Sequence, residues 1–165
     1  MAHLNFSQLT TLALSDNTFI VEPDILKLLL TNFTKLSHDS LTSCNIPSSI
    51  PTNISSFLEI VHLDYNNFHG KLPQSIFHLP NLKALRLGGN LQLCRLLPSV
   101  RWNSYRTLQW LDLSGIQFSG EIPDSIGNLN PLKYLNLLYC GFSGTIKSAM
   151  LLSLSSLQGL QLSKN

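Results

Sequence analysis

The sequence predicts an α/β solenoid whose concave face is a parallel sheet of about seven short strands. Two observations predict this fold. Leucine supplies 35 of the 165 residues, far more than in an ordinary globular chain. The pattern Leu-x-x-Leu-x-Leu-x-x-Asn also recurs along the chain, so we expect one domain over residues 1–165 with about seven repeats.

Three copies of the pattern are exact, and four depart from it at one or two positions. The exact copies cover 9–17, 82–90 and 157–165, and the others cover 36–44, 58–66, 108–116 and 132–140. The copy at 36–44 is the weakest, because Asp39 stands at a core position. The last position of each copy is called its anchor; the anchors are Asn17, Cys44, Asn66, Asn90, Ile116, Cys140 and Asn165. Their spacing of 22 to 27 residues is the period of leucine-rich repeats, which stack into a horseshoe.

Each copy predicts one short strand. In Leu-x-Leu, alternate side chains point to opposite faces, so two leucines face the core and the residue between them faces water. A single repeat cannot bury its leucines, and neighbouring repeats must therefore stack. We expect an Asn anchor to turn its amide inward and satisfy backbone groups of the turn after the strand. Cys44 and Cys140 are small enough for the same place, whereas Ile116 can only pack there.

The second half of the repeat predicts another buried layer. Phenylalanine lies two residues beyond four anchors, at 19, 68, 118 and 142, and Ile46 takes this place in the second repeat. We expect a stripe of core side chains here rather than a ligand site. The Ile-Pro and Leu-Pro steps favour extended backbone followed by a short helical or 3₁₀ turn, as at 124–129, and the long first spacing has room for a helix over 22–30.

Composition and motifs argue against several classes of function. The formal charge is +2 without a Lys/Arg cluster, which offers no electrostatic basis for binding nucleic acid or an anionic membrane. No apolar run is long enough to span a bilayer, and residues 1–20 do not resemble a signal peptide. The chain has no phosphate-binding loop, nucleophile elbow, kinase signature or zinc-site spacing, so we expect no enzymatic activity, no cofactor and no metal.

Three cysteines are too few for a disulfide framework. Cys44 and Cys140 occupy equivalent anchors four repeats apart, which at roughly 4.8 Å per strand places them about 19 Å from each other. This distance is far beyond the reach of a disulfide, so we expect two buried thiols. Cys94 lies in an irregular loop and is either free or paired with a region outside this chain.

Three Asn-x-Ser/Thr sequons, at Asn5, Asn32 and Asn53, are candidate glycosylation sites. Asn32 and Asn53 precede their anchors by 12 and 13 residues, which predicts that both lie on the outer side of the repeat. A sugar there would not block the concave sheet. The sequons modestly favour secretion of the parent protein.

The water-facing residues of the strands line the concave face and are free to specify a ligand. Candidate binding residues on this face are His62, Arg86, Trp110, Asp112, Tyr134 and Tyr139. Trp, Tyr and Arg dominate binding hot spots because each combines a large contact area with a polar group. We predict that Trp110 and Tyr134 are neighbours on adjacent strands and that Arg86 lies beside Asp112. The alternative is structural: an aromatic pair that stabilises the sheet and an exposed Arg86–Asp112 ion pair.

The segment 111–129, Leu-Asp-Leu-Ser-Gly-Ile-Gln-Phe-Ser-Gly-Glu-Ile-Pro-Asp-Ser-Ile-Gly-Asn-Leu, resembles the plant extracellular leucine-rich repeat. The segment 76–82, the irregular repeat at 89–98 and the segment 137–144 with its Cys anchor narrow the resemblance. They are similar to plant leucine-rich-repeat receptor-like proteins of the disease-resistance class. The resemblance covers nearly the whole chain from Leu9 onward.

The resemblance implies a cell-surface receptor with a signal peptide, an N-terminal cap, many repeats, one transmembrane helix and a short tail without a kinase. Only the repeats are visible here, with both ends uncapped, so we expect a segment of the extracellular ectodomain. Its parent would lie at the plasma membrane, bind a peptide or protein ligand in defence or development signalling, and act through a partner receptor kinase. Two alternatives stay open: a secreted inhibitor of a cell-wall-degrading hydrolase, and a truncated product without activity of its own.

Overall fold

A computed structural model describes residues 8–17, 21–33, 35–93, 97, 102 and 107–165. The strands in this part of the chain are β1 (Thr11–Ala13), β2 (His38–Ser40), β3 (Ile60–His62), β4 (His69–Gly70), β5 (Ala84–Arg86), β6 (Gln92–Leu93), β7 (Trp110–Asp112), β8 (Tyr134–Asn136) and β9 (Gly159–Gln161). Seven of them form one parallel sheet in the order β1-β2-β3-β5-β7-β8-β9. This sheet confirms the predicted solenoid, with one strand at each copy of the pattern.

The strands pair in register, so that equivalent residues of successive repeats lie opposite each other. Leu85, for example, faces Val61 on one side and Leu111 on the other. These central residues point into the core, where Val61 is 1% exposed and Leu85 and Leu111 are fully buried. The residues on either side of each centre point outward to the concave face.

A small second sheet accompanies the large one. Strands β4 and β6 pair in parallel just beyond the anchors of their repeats. A single parallel bridge between Glu121 and Ser143 repeats the arrangement further along the stack. The spacing of the leucines did not predict this second sheet or the additional bridge.

The phenylalanine stripe forms a second buried layer, as predicted. Phe68, Phe118 and Phe142 are each at most 5% exposed, and Ile46 is fully buried. The rings of Phe118 and Phe142 stack with centroids 5.3 Å apart. Phe19, the remaining predicted member, lies outside the described residues.

Short helical segments connect the strands on the convex side. Helix α1 (Pro23–Asn32) confirms the helix predicted in the long first spacing. Its proline stands in the first turn, where no backbone N–H is needed, and Leu26, Leu29 and Leu30 are its buried residues. The 3₁₀ segments Gln74–His78 and Asp124–Asn128 each begin directly after a proline in extended conformation, and α2 covers Ser148–Ser153. No helix in the described part is both long and apolar enough to cross a lipid bilayer.

The Asn anchors join neighbouring repeats through hydrogen bonds. The Asn66 amide nitrogen donates to the carbonyl oxygens of Leu41 in the preceding repeat, at 2.7 Å, and of Leu63 in its own, at 3.1 Å. Its amide oxygen accepts from the backbone N–H groups of Cys44 and Ile46 at 3.0 and 3.3 Å. One buried side chain therefore satisfies backbone groups on two successive turns, as expected for an inward-facing amide.

The cysteine anchors occupy the same place and make part of the same contact. The Cys44 thiol donates to the Leu14 carbonyl oxygen at 2.9 Å, and the Cys140 thiol donates to that of Leu113 at 3.1 Å. Both cysteines are buried and free, as predicted. Burial raises the pKa of Cys140 to about 12 and also raises the pKa of Cys44, so both stay protonated and unreactive. Ile116 is fully buried and only packs.

Asp39 is a carboxyl group at the inward-facing centre of β2, between Leu12 of β1 and Val61 of β3. Its side chain is fully buried, and neither of its oxygens has a hydrogen-bond partner among the described residues. Burial disfavours the charged form and raises the pKa of Asp39 to about 7. Below pH about 7 the second repeat therefore keeps a protonated carboxyl where the pattern has a leucine.

Replacing Asn66 with alanine is expected to lower the free energy of unfolding by about 2–4 kcal/mol, because buried backbone groups of two repeats lose their partner. Urea unfolding followed by circular dichroism measures the change. Asn67→Ala is the matched control, since Asn67 is adjacent and exposed. Equal losses for the two variants would contradict the linking role of the anchor.

The stability of the fold is expected to depend on pH through Asp39. Its pKa is about 7 in the folded chain and 3.8 as the ordinary value. Between these values the folded state binds more protons than the unfolded state, so stability falls as pH rises from about 4 to about 7, by about 4 kcal/mol in total. Asp39→Val should remove this component. Urea unfolding across this range measures it, and an identical pH dependence in both proteins would refute the assignment.

Candidate ligand-binding face of the sheet

Two rows of outward-facing side chains cross the concave face, one at the start and one at the end of the strands. The starting row from β2 to β9 is His38, Ile60, Ala84, Trp110, Tyr134 and Gly159, and the ending row is Ser40, His62, Arg86, Asp112, Asn136 and Gln161. The parallel register places each residue opposite its equivalent on the next strand. The predicted neighbours Trp110 and Tyr134 are thus confirmed, as is the position of Arg86 beside Asp112.

Trp110 and Tyr134 form an aromatic surface at the start of β7 and β8. Their ring centroids are 4.2 Å apart with an angle of 36° between the planes. The next strand contributes Gly159, where a Cβ atom would lie only 2.7 Å from Cδ1 of Tyr134. The Tyr134 ring therefore lies over a position that has no side chain. Despite these contacts, Trp110 remains 40% exposed and Tyr134 38% exposed.

Asp112 is held in a fixed orientation in the ending row. Its Oδ1 accepts a hydrogen bond from the backbone N–H of Ser114 at 2.9 Å, and its Oδ2 accepts one from Nδ2 of Asn136 at 3.0 Å. The Asn136 amide is held in turn, because its oxygen accepts from the Leu138 N–H at 3.1 Å. These bonds position a half-buried carboxylate that still reaches the surface.

The two rows enclose a cleft of about 310 Å³ on β7, β8 and β9. Its lining residues are Trp110, Asp112, Tyr134, Leu135, Asn136, Gly159 and Gln161. The aromatic rings and Gly159 form one side, the polar ending row forms the other, and the backbone of the buried Leu135 lies between them. We call this the aromatic–acidic cleft. Asn136, Gly159 and Gln161 were not singled out from the sequence, although the repeat pattern places them in the same two rows.

Arg86 pairs with a different carboxylate from the one considered in the sequence analysis. Its Nη2 lies 3.1 Å from Oδ2 of Asp64, so the alternative of an Arg86–Asp112 ion pair is wrong. The Asp64 side chain is 2% exposed, and that of Arg86 is 35% exposed. Burial raises the pKa of Asp64 while Arg86 lowers it. A carboxylate buried to this degree needs the nearby cation more than Asp112, which is held by neutral donors.

His62 lies beside Arg86 on the neighbouring strand β3 and is half-buried. Its pKa is lowered, first by burial and then by the positive charge of Arg86. The imidazole therefore favours its neutral form at neutral pH. Within the described residues, no cluster of His, Cys, Asp and Glu could hold a metal ion.

Tyr139 lies apart from the other candidate binding residues. It lies in the turn after β8, directly before the Cys140 anchor, where its φ is 56° and its side chain is exposed. Lys164 covers it, with Nζ 4.8 Å from the ring centroid. Tyr139 and Lys164 line a second cleft of about 660 Å³ with residues such as Leu91 and Phe118. This second cleft shares no lining residue with the aromatic–acidic cleft.

The candidate glycosylation sites can be placed in part. Asn32 is exposed at the end of α1, and Asn53 is exposed in the loop that leads to the third repeat. Neither lines the aromatic–acidic cleft. Asn5 and Cys94 lie outside the described residues.

The chain is similar to known leucine-rich-repeat proteins. Residues 57–79 and 107–129 match the family model described as Leucine Rich Repeat. Over 106 residues, 64% of this chain, it is 41% identical to receptor-like protein Cf-9 of Solanum pimpinellifolium, of which it spans 12%. The chain thus spans about an eighth of this relative.

Solved structures with a similar fold include two plant receptor ectodomains. One is the ectodomain of the Arabidopsis thaliana membrane receptor kinase GASSHO1/SCHENGEN3 in complex with Casparian strip integrity factor 2. It is matched with a TM-score of 0.84 and 30% identity, over 94% of this chain and 18% of that one. The other is the ectodomain of the Arabidopsis receptor kinase HAESA in complex with an IDA peptide hormone ligand. Here the TM-score is 0.76 and the identity 35%, over 86% of this chain and 24% of that one.

Replacing Arg86 with methionine is expected to lower the free energy of unfolding by about 1–3 kcal/mol, because it leaves the buried Asp64 carboxylate without its cation. Lys147→Met is the matched control, since it breaks the Lys147–Asp124 pair, in which both side chains are more than half exposed. Its effect should be much smaller. Chemical unfolding of both variants tests this, and adding Asp64→Asn to Arg86→Met should restore part of the loss. A control variant as unstable as Arg86→Met would contradict the ranking.

Proposed function

We propose that this chain, which belongs to the plant leucine-rich-repeat receptor-like protein family, is a segment of an extracellular recognition domain that binds a peptide or protein through its concave face. The role is non-enzymatic. The parent protein presents the segment on the outer side of the plasma membrane, in defence or development signalling. Because proteins of this family have no kinase of their own, the signal passes to a partner receptor kinase.

The observation that carries this proposal is the exposed aromatic pair beside a cleft. Trp110 and Tyr134 are fixed against each other and over Gly159, so little side-chain freedom is lost when a ligand contacts them. Both rings keep more than a third of their surface exposed. Large, preorganised aromatic side chains with an accessible face are typical of binding hot spots.

The similar structures support a peptide or protein as the ligand. The HAESA ectodomain is solved with a peptide hormone, and the GASSHO1/SCHENGEN3 ectodomain is solved with Casparian strip integrity factor 2. Because successive repeats place equivalent side chains in rows, an extended chain lying across the strands would meet one residue of each row at every repeat. His62 and Arg86 continue the ending row on the N-terminal side of the aromatic–acidic cleft.

A peptide selection tests the proposal. The full 165-residue chain is immobilised and used to select binders from a displayed library of random peptides. We expect the selected peptides to lose at least about tenfold in affinity for the double variant Trp110→Ala/Tyr134→Ala, because truncating an aromatic hot spot costs more than 1 kcal/mol per residue.

Phe57→Ala is the matched control, since Phe57 is 52% exposed but lies before β3 and outside the two rows. It should leave the affinities unchanged. Circular dichroism verifies that each variant is folded. Selected peptides that bind the folded double variant as tightly as the original chain would exclude this face as the recognition surface.

A further inference from the structure

We propose that the aromatic–acidic cleft is a subsite for a cationic side chain, lysine or arginine, of an extended peptide. This inference rests on the proposed function and specifies the chemistry of the ligand. The cleft brings together two features that recognise such a group: the faces of Trp110 and Tyr134 on one side and the carboxylate of Asp112 on the other.

The aromatic side suits a cation because the face of an aromatic ring carries negative electrostatic potential. Trp110 offers the strongest such face of any side chain, and it is 40% exposed here. The same protein already contains this contact elsewhere, since Nζ of Lys164 lies 4.8 Å from the ring centroid of Tyr139. A peptide lysine or arginine would make an equivalent contact in the cleft.

The charge of Asp112 is not neutralised within the described part of the protein. The ion pairs found there are Lys83–Glu59, Arg86–Asp64 and Lys147–Asp124, and none includes Asp112. Arg86 lies next to Asp112 in the sheet but is bound to Asp64. The two hydrogen bonds that Asp112 accepts come from a backbone N–H and an amide, which fix the carboxylate without cancelling its charge.

The remaining lining residues carry no charge. They are Leu135, Asn136, Gly159 and Gln161, together with the two aromatic rings. Lys133, directly before β8, is not among the residues that line the cleft. The charge of the cleft itself is therefore negative, which favours a basic side chain and disfavours an acidic one.

The shape of the cleft suits a long side chain with an apolar stem. Lysine and arginine bury their methylene groups against apolar surface while the charged end stays at a polar group. Here the faces of the two aromatic rings provide that surface, and Asp112 lies at the other end of β7, across the cleft. Gly159 keeps the cleft open, because a Cβ at this position would lie 2.7 Å from Tyr134 and force its ring to move.

A titration of the full chain with two model peptides tests the inference. The probes are capped pentapeptides of glycine with either arginine or its neutral isostere citrulline at the centre. The indole N–H signal of Trp110 in nuclear magnetic resonance spectra reports binding. We expect millimolar binding of the arginine peptide, at least about fivefold tighter than that of the citrulline peptide and weaker at higher salt.

Asp112→Asn should abolish the preference for arginine, because it removes the charge and leaves the aromatic surface in place. Asp124→Asn is the matched control, since Asp124 is an exposed carboxylate of the 3₁₀ turn and does not line the cleft. It should leave the preference unchanged. Gly159→Ala is a second, independent variant that should weaken binding of both peptides, because its Cβ would force the Tyr134 ring out of its present position.

The outcomes separate this inference from the proposed function. Equal binding of the two peptides at Trp110, or a preference for arginine that survives in Asp112→Asn, would overturn the cationic subsite and leave the concave face as a recognition surface. The same holds if neither peptide shifts the Trp110 signal. By contrast, if the peptides from the selection bind the folded Trp110→Ala/Tyr134→Ala variant as tightly as the original chain, the proposed function itself is overturned.

Discussion

The structure depends on the fact that no repeat can bury its own leucines. Val61, Leu85 and Leu111 are removed from water only because each lies against its equivalent on the next strand. The anchor amides supplement this packing with directional hydrogen bonds, since the Asn66 side chain bonds to backbone groups of two successive repeats. Together these contacts fix the register of the sheet. The outward rows, and with them the spacing of any ligand contacts, therefore follow from side chains that no ligand touches.

Because each repeat contacts mainly its neighbours, departures from the pattern have local consequences. Asp39 weakens the stack at β2, but β7, β8 and β9, which form the aromatic–acidic cleft, lie several strands away. Ile116 interrupts the series of polar anchors yet is fully buried, so packing replaces its missing hydrogen bonds. The stability of a solenoid is approximately a sum of repeat and interface contributions. A weak repeat in one place is therefore compatible with a well-formed binding face in another.

The strands could be predicted from sequence because the leucine period is imposed by burial, and burial depends on residue type and spacing. The partner of Arg86 could not be predicted, since Asp112 lies opposite Arg86 on β7 while Asp64 follows the neighbouring strand β3. Only the deeper burial of Asp64 distinguishes the two carboxylates. Tyr139 was grouped with Trp110 because both are aromatic residues at water-facing positions of the repeat pattern. Instead it lies in the turn after β8 with a positive φ and lines a different cleft. Gly89 and Gly115 have a positive φ at the equivalent place before their anchors, so these glycines are the signal in the sequence for this turn.

The aromatic pair by itself has a sufficient structural explanation, because cross-strand aromatic contacts stabilise a sheet by roughly 0.2–1 kcal/mol. That explanation does not extend to its surroundings. A glycine in a strand weakens it, and Gly159 is accounted for by what must approach closely, here the Tyr134 ring. The two hydrogen bonds that Asp112 accepts help to hold the turn after β7, but they supply no cation for its charge, since Arg86 is paired with Asp64. An accessible aromatic surface beside a carboxylate that no cation of the described residues pairs with is the arrangement that the proposed recognition of a cationic side chain requires.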